Sequence, residues 1–106
     1  MKTIVNTKEA IKENVAHLSE HYSYDTQKMQ LVEEMGELLQ ALSKYERANG
    51  IGQPTNVTKE DAWNNLIEEF AGVSVMILEM IHTLKIEKEV EDEMLSQTYR
   101  VLSKCK

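Results

Sequence analysis

One cysteine, one proline and four glycines are spread over 106 residues, and each scarcity removes a class of structure. A lone thiol, Cys105, forms no internal disulfide, so no covalent staple underlies the fold. Sandwiches and barrels need turn residues at intervals of roughly 8–12 positions, which so little glycine and proline cannot supply. Basic charge is also short: 12 Lys and Arg stand against 18 Asp and Glu, for a formal net charge of −6. Duplex nucleic acid and anionic membrane both demand a basic face, so neither a nucleic-acid polymer nor a membrane is expected as a partner. A nucleotide remains open, because a cation can bridge acidic side chains to phosphates. No apolar run approaches the ~18 residues of a membrane span, and no long apolar stretch follows the MKTIV start to make a secretory leader. The expectation is an all-α, cytoplasmic protein with one helical domain over residues 1–106.

Hydrophobic spacing marks four helices. Ile11, Val15, Leu18 and Tyr22 form the first stripe, with Asn6 or Thr7 as its cap. Asp25 is the next candidate cap, before a second helix over about 26–47 whose stripe is Leu31, Met35, Leu38, Leu42 and Tyr45, widened by Val32 and Leu39. Residues 48–56 hold two glycines and the only proline and form the one clear loop. Thr58 caps the third helix, with Asp61 three residues on as an approximate capping box. Leu66, Phe70, Val73, Ile77, Met80 and Leu84 carry the third stripe, and Ile86, Val90, Met94 and Val101 mark a fourth helix across a soft boundary. The second and third helices should pair as an antiparallel hairpin. Their wide stripes suggest closure by a second chain, so an oligomer is expected.

An internal repeat lies within that hairpin. LVEEMGEL from Leu31 aligns with LIEEFAGV from Leu66 at a constant offset of 35, and Leu, Glu and Glu recur identically. At about 100° per residue, Glu34 stands roughly 60° off the stripe through Leu31, and Glu69 the same angle off that through Leu66. Glu37 shares a side with Glu34. In an antiparallel pair these edges can bring Glu34, Glu37 and Glu69 together, where three carboxylates repel unless a cation lies between them. Hard oxygen ligands suit Mg²⁺ or Mn²⁺ rather than zinc. The plainer alternative is a solvated acidic face, which Glu34-x-x-Glu37 alone would ordinarily be.

These residues resemble a known family. QLVEEMGELLQALSKYER (Gln30 to Arg47) and NLIEEFAGVSVMI (Asn65 to Ile77) look like the two motif helices of the MazG-like all-α nucleoside triphosphate pyrophosphohydrolases, relatives of the dimeric dUTPases, which carry EExxE and then ExxD. The resemblance spans about residues 28–84, and the last helix loosely. It implies a four-helix MazG-like bundle, a homodimer or homotetramer. It also implies Mg²⁺-dependent (or Mn²⁺-dependent) cleavage of a nucleoside triphosphate to the monophosphate and pyrophosphate. By position, Glu34, Glu37 and Glu69 would hold the metal, with Glu33 and Glu68 as adjacent acids and Glu34 as the base for the attacking water. Lys44, Arg47 and Arg100 match basic residues that the family presents near the phosphates.

The chain departs from the family at one telling place: Gly72 stands where ExxD has its Asp, and the repeat pairs it with Glu37. Gln97 stands where a Lys is frequent. One carboxylate fewer implies weakened chemistry, unless water fills the vacant position. Glu79, seven residues on and about 10 Å along the helix, is too distant to substitute. The alternative reading is therefore a catalytically inactive helical oligomer that serves as a nucleotide-binding or protein-interaction module. Trp63, in the first turn of the third helix, either stacks on a base or packs the helix entrance. His17 and His21 lack a third ligand, and the methionines are core or interface filler.

Overall fold

The computed structural model describes residues 6–105, and every regular element among them is a helix: α1 (Thr7–His21), α2 (Tyr24–Ala48), α3 (Lys59–Leu84) and α4 (Glu87–Leu102). The MKTIV start lies outside the described residues. Among the described residues no helix is long and apolar enough to cross a membrane.

Local side-chain chemistry sets the helix starts. Asn6, not Thr7, caps α1 by accepting the Glu9 amide at 3.2 Å. Ser23 caps α2 in place of Asp25, accepting the Thr26 amide at 3.2 Å. Asp25 instead falls in the first turn, where its charge favours the positive end of the helix dipole. Thr58 caps α3 as the spacing expects, accepting from the Asp61 amide at 3.1 Å. At the end of α2 the chain turns through Gly50 at φ 87°, so that the Gly50 and Ile51 amides reach the Arg47 and Glu46 carbonyls, each at 3.0 Å. The α3–α4 junction uses the same device with a lysine, Lys85 at φ 58°, which is why no glycine marks that boundary in the sequence.

Helix α3 is the hub. It lies antiparallel along α2, receives α1, and meets α4 at few points. Among the shielded positions, Gln27, Leu31, Glu34, Leu38, Ala41, Tyr45 and Ala48 on α2 face Ala62, Leu66, Glu69, Val73, Met76, Met80 and Thr83 on α3. Each set steps by four and three, the seam of an antiparallel helix pair. The two sets sit 35 apart, a multiple of seven, so the internal repeat keeps one seam register on both helices. The seam is rotated from the apolar stripe expected on α2: Met35 and Leu42 lie on the exposed side, with Leu39 69% exposed.

Gln27, 0% exposed, locks the near end of the hairpin. Its Nε2 donates to the carbonyls of Tyr22 (2.8 Å) and Ser19 (3.3 Å), acceptors that the end of α1 leaves open. Its Oε1 accepts from Thr83 Oγ1 at 3.0 Å. Beside it Ser19 Oγ and His82 Nδ1 stand 2.7 Å apart. At the other end Tyr45 and Trp63 meet with ring centroids 5.4 Å apart, so Trp63 packs the start of α3 while half its surface stays open.

Within one chain the fourth helix does not close a bundle. No residue of α4 is buried, and Met94, Leu95, Tyr99, Val101 and Leu102 are all exposed. The radius of gyration is 17.4 Å, against about 13 Å for a compact chain of this length.

Replacing Gln27 by Leu keeps volume but takes their partner from the buried Ser19 carbonyl, the partly buried Tyr22 carbonyl and the Thr83 hydroxyl. Urea unfolding should show a loss of about 2–4 kcal/mol, whereas Thr83→Val, which removes one bond, should cost about 1–2 kcal/mol.

Candidate metal centre

Antiparallel packing brings together three carboxylates. Glu34 and Glu37 from α2 and Glu69 from α3 each offer an oxygen, all within 4.8 Å of one another. Glu34 and Glu69 are half-buried, and Glu37 is exposed. The angular reading puts Glu34 and Glu69 at the edge of their stripes; they stand instead in the seam itself, because the seam runs through Leu31, Glu34 and Leu38 rather than through Met35.

The cluster carries uncompensated negative charge. Ion pairs among the described residues join Lys28 to Asp25, Lys88 to Asp92 and Arg100 to Glu93, and none reaches the cluster. Glu69 Oε2 is buried without a hydrogen-bond partner, a costly state for a carboxylate oxygen. The Glu69 carboxyl is held above the usual carboxylate range, first by burial, then by the charge of Glu37 and a hydrogen bond with it, then by Glu34 and Glu68.

These donors fit a hard divalent cation. Around octahedral Mg²⁺, with bonds of about 2.1 Å, cis oxygens lie about 3.0 Å apart and trans ones about 4.2 Å, so one ion joins three oxygens held within 4.8 Å of one another once the flexible carboxylates draw in. No His or Cys joins them, which disfavours zinc. Gly72, half-buried on α3, faces Glu34: a Cβ built on it would lie 2.5 Å from Glu34 Oε2. Spacing alone treats Gly72 as a vacancy, and only the approach of α2 reveals that the Glu34 carboxylate lies against it.

The three basic candidates stand apart from the cluster. Lys44 is exposed on α2, about 10 Å along the helix from Glu37. Arg47 lies about 15 Å along in a shallow cleft with Ser43, Glu46 and Ile51 to Gln53, its Nε buried without a partner. Arg100 is on α4, 3.3 Å from Glu93. Glu33 and Glu68 are exposed. His17 and His21 are exposed on α1, and Cys105 is an exposed thiol.

Spacing treats Glu79 only as an acid too distant to join the cluster and gives no sign of its burial. Glu79 is 3% exposed, has no hydrogen-bond or ion-pair partner among the described residues, and burial raises its pKa. A lone Glu amid apolar neighbours carries no signal that separates this from a snorkelling surface acid. No family model, curated protein or solved structure matches this chain.

Glu69 and Glu79 both hold their proton to higher pH folded than unfolded. The folded state then binds more protons in the window above the unfolded carboxylate pKa of about 4.3, and stability falls as pH rises through the raised values. With divalent cations chelated, the protein should melt higher at pH 5 than at pH 7. Glu79→Gln should narrow that gap by raising the pH 7 melting temperature; a lowered one would mean that the Glu79 charge has a partner.

Proposed function

We propose that this chain is a MazG-like nucleoside triphosphate pyrophosphohydrolase, acting with Mg²⁺ or Mn²⁺ in the cytoplasm as a homodimer or homotetramer. The observation that carries this reading is the convergence of Glu34, Glu37 and Glu69 from two helices with no protein cation to neutralise them. A second support is the buried, partnerless Oε2 of Glu69.

Bound there, the ion would neutralise phosphate oxygens and lower the pKa of a water. Glu34 would take the proton from that water as its oxygen attacks the α-phosphorus. The bond from that phosphorus to the α–β bridging oxygen breaks, pyrophosphate leaves, and the monophosphate remains. Lys44 and Arg47 lie on α2 beyond Glu37, toward the loop that closes the hairpin. In this reading they bind phosphate, and the unpartnered Nε of Arg47 is a donor awaiting an anion. Arg100 would serve the same purpose from α4. Self-association is supported by the exposed apolar side chains along the flanks of α2, α3 and α4, since apolar surface of this kind marks interaction sites where it is contiguous.

Gly72 at the expected aspartate favours a second reading, an inactive oligomer that still binds nucleotide. One assay separates the two: pyrophosphate release from a panel of ribo- and deoxyribonucleoside triphosphates with Mg²⁺ and Mn²⁺. Turnover by the wild type, reduced at least about 100-fold in Glu37→Gln, is the expected result, and a silent wild type leaves the binding module. Sedimentation equilibrium should give two or four times the 12.2 kDa chain mass; a monomer at all concentrations would overturn the assembly.

A further inference from the structure

We infer that Gly72 is a positioning residue of the acidic cluster: by lacking a side chain, it admits the Glu34 carboxylate against α3, where it joins Glu37 and Glu69. The consequence for metal binding rests on the proposed function, but the geometry does not. A Cβ at residue 72 would meet Glu34 Oε2 at 2.5 Å, closer than real Cβ atoms stand, with Cδ at 3.4 Å. Any side chain at 72 must therefore displace the Glu34 carboxylate from the place it holds. The obstacle is the free end of a flexible side chain rather than backbone, so displacement disturbs the fold little and the placement of the carboxylate greatly. Glycine is a poor residue for the middle of a helix, and Gly72 sits fourteen residues into α3. What it offers in return is room for an oxygen.

The position is thus filled from across the seam. An aspartate there would add its own carboxylate while displacing Glu34, exchanging one oxygen donor for another rather than adding a fourth. Gly36 on α2 provides the comparison: a Cβ there would meet nothing within 4 Å, so Gly36→Ala gains helix propensity without touching the cluster.

The test uses the full chain with four variants: Gly72→Ala, Gly36→Ala, Glu34→Ala and the double variant Glu34→Ala/Gly72→Ala. Mn²⁺ binding is measured by calorimetry, and melting is followed in EDTA. Gly72→Ala should melt no lower than wild type in EDTA yet bind Mn²⁺ at least tenfold more weakly, while Gly36→Ala binds as wild type does. Unchanged Mn²⁺ affinity in Gly72→Ala overturns the inference. So does a Gly72→Ala that melts well below wild type, because α3 rather than the Glu34 tip would then have to move. If wild type binds no Mn²⁺, the metal reading fails and the EDTA melts alone decide. Displacing Glu34 relieves carboxylate repulsion, so Gly72→Ala should raise the melting temperature about 3 °C more with Glu34 present than in the Glu34→Ala background. Equal shifts in the two backgrounds overturn it.

Discussion

The seam between α2 and α3 places charge where helices ordinarily place leucine. Glu34 and Glu69 occupy positions four-three spaced with Leu31, Leu38, Leu66 and Val73, and packing those neighbours forces both carboxylates toward each other with Glu37 beside them. Like charges a few ångströms apart in a partly desolvated seam cost free energy. Much else follows from that cost: the raised pKa of Glu69, its orphaned oxygen, the space at Gly72 and, on the function proposed, an affinity for a divalent cation. The hairpin tolerates the charge because the seam positions flanking the acids are apolar and because the Gln27–Thr83 bond and the Tyr45–Trp63 contact hold its two ends.

Polar groups in this protein sort into two kinds. The Gln27 amide is spent on the α1 carbonyls and on Thr83, so burying it closes a chain reversal and leaves nothing over for chemistry. Glu69 and Arg47 each bury an atom with no protein partner, and such atoms are where a ligand gains most. The two lie on different helices, yet both belong to the hairpin, one in its seam and one beside the loop that closes it.

Apolar flanks left open along α2, α3 and α4 give the single chain an unfinished outline. Helix α4 in particular has an apolar stripe and no buried residue, and along that stripe only its start, at Val90, is half-covered by its own chain. Spacing on a sequence reports that a face is apolar; it does not report whether the covering surface lies in the same molecule.

Much of the architecture was legible from periodicity: four helices, the loop over 48–56 and the Thr58 cap. The candidate ligands were legible too, since a repeat offset by five heptads must carry its acids to equal stations on both helices. Local rules failed where two residues competed for one job, as when Ser23 rather than Asp25 capped α2, and where Lys85 adopted the left-handed turn expected of glycine. By itself the sequence determined which residues are helical and which carboxylates share a side, because both follow from 3.6 residues per turn. Only the tertiary structure decided that the seam passes through Glu34, that Glu79 is buried, and that Gly72 houses an oxygen from the facing helix. Those three depend on how two helices rotate and approach, and that is set by contacts between residues far apart in the chain.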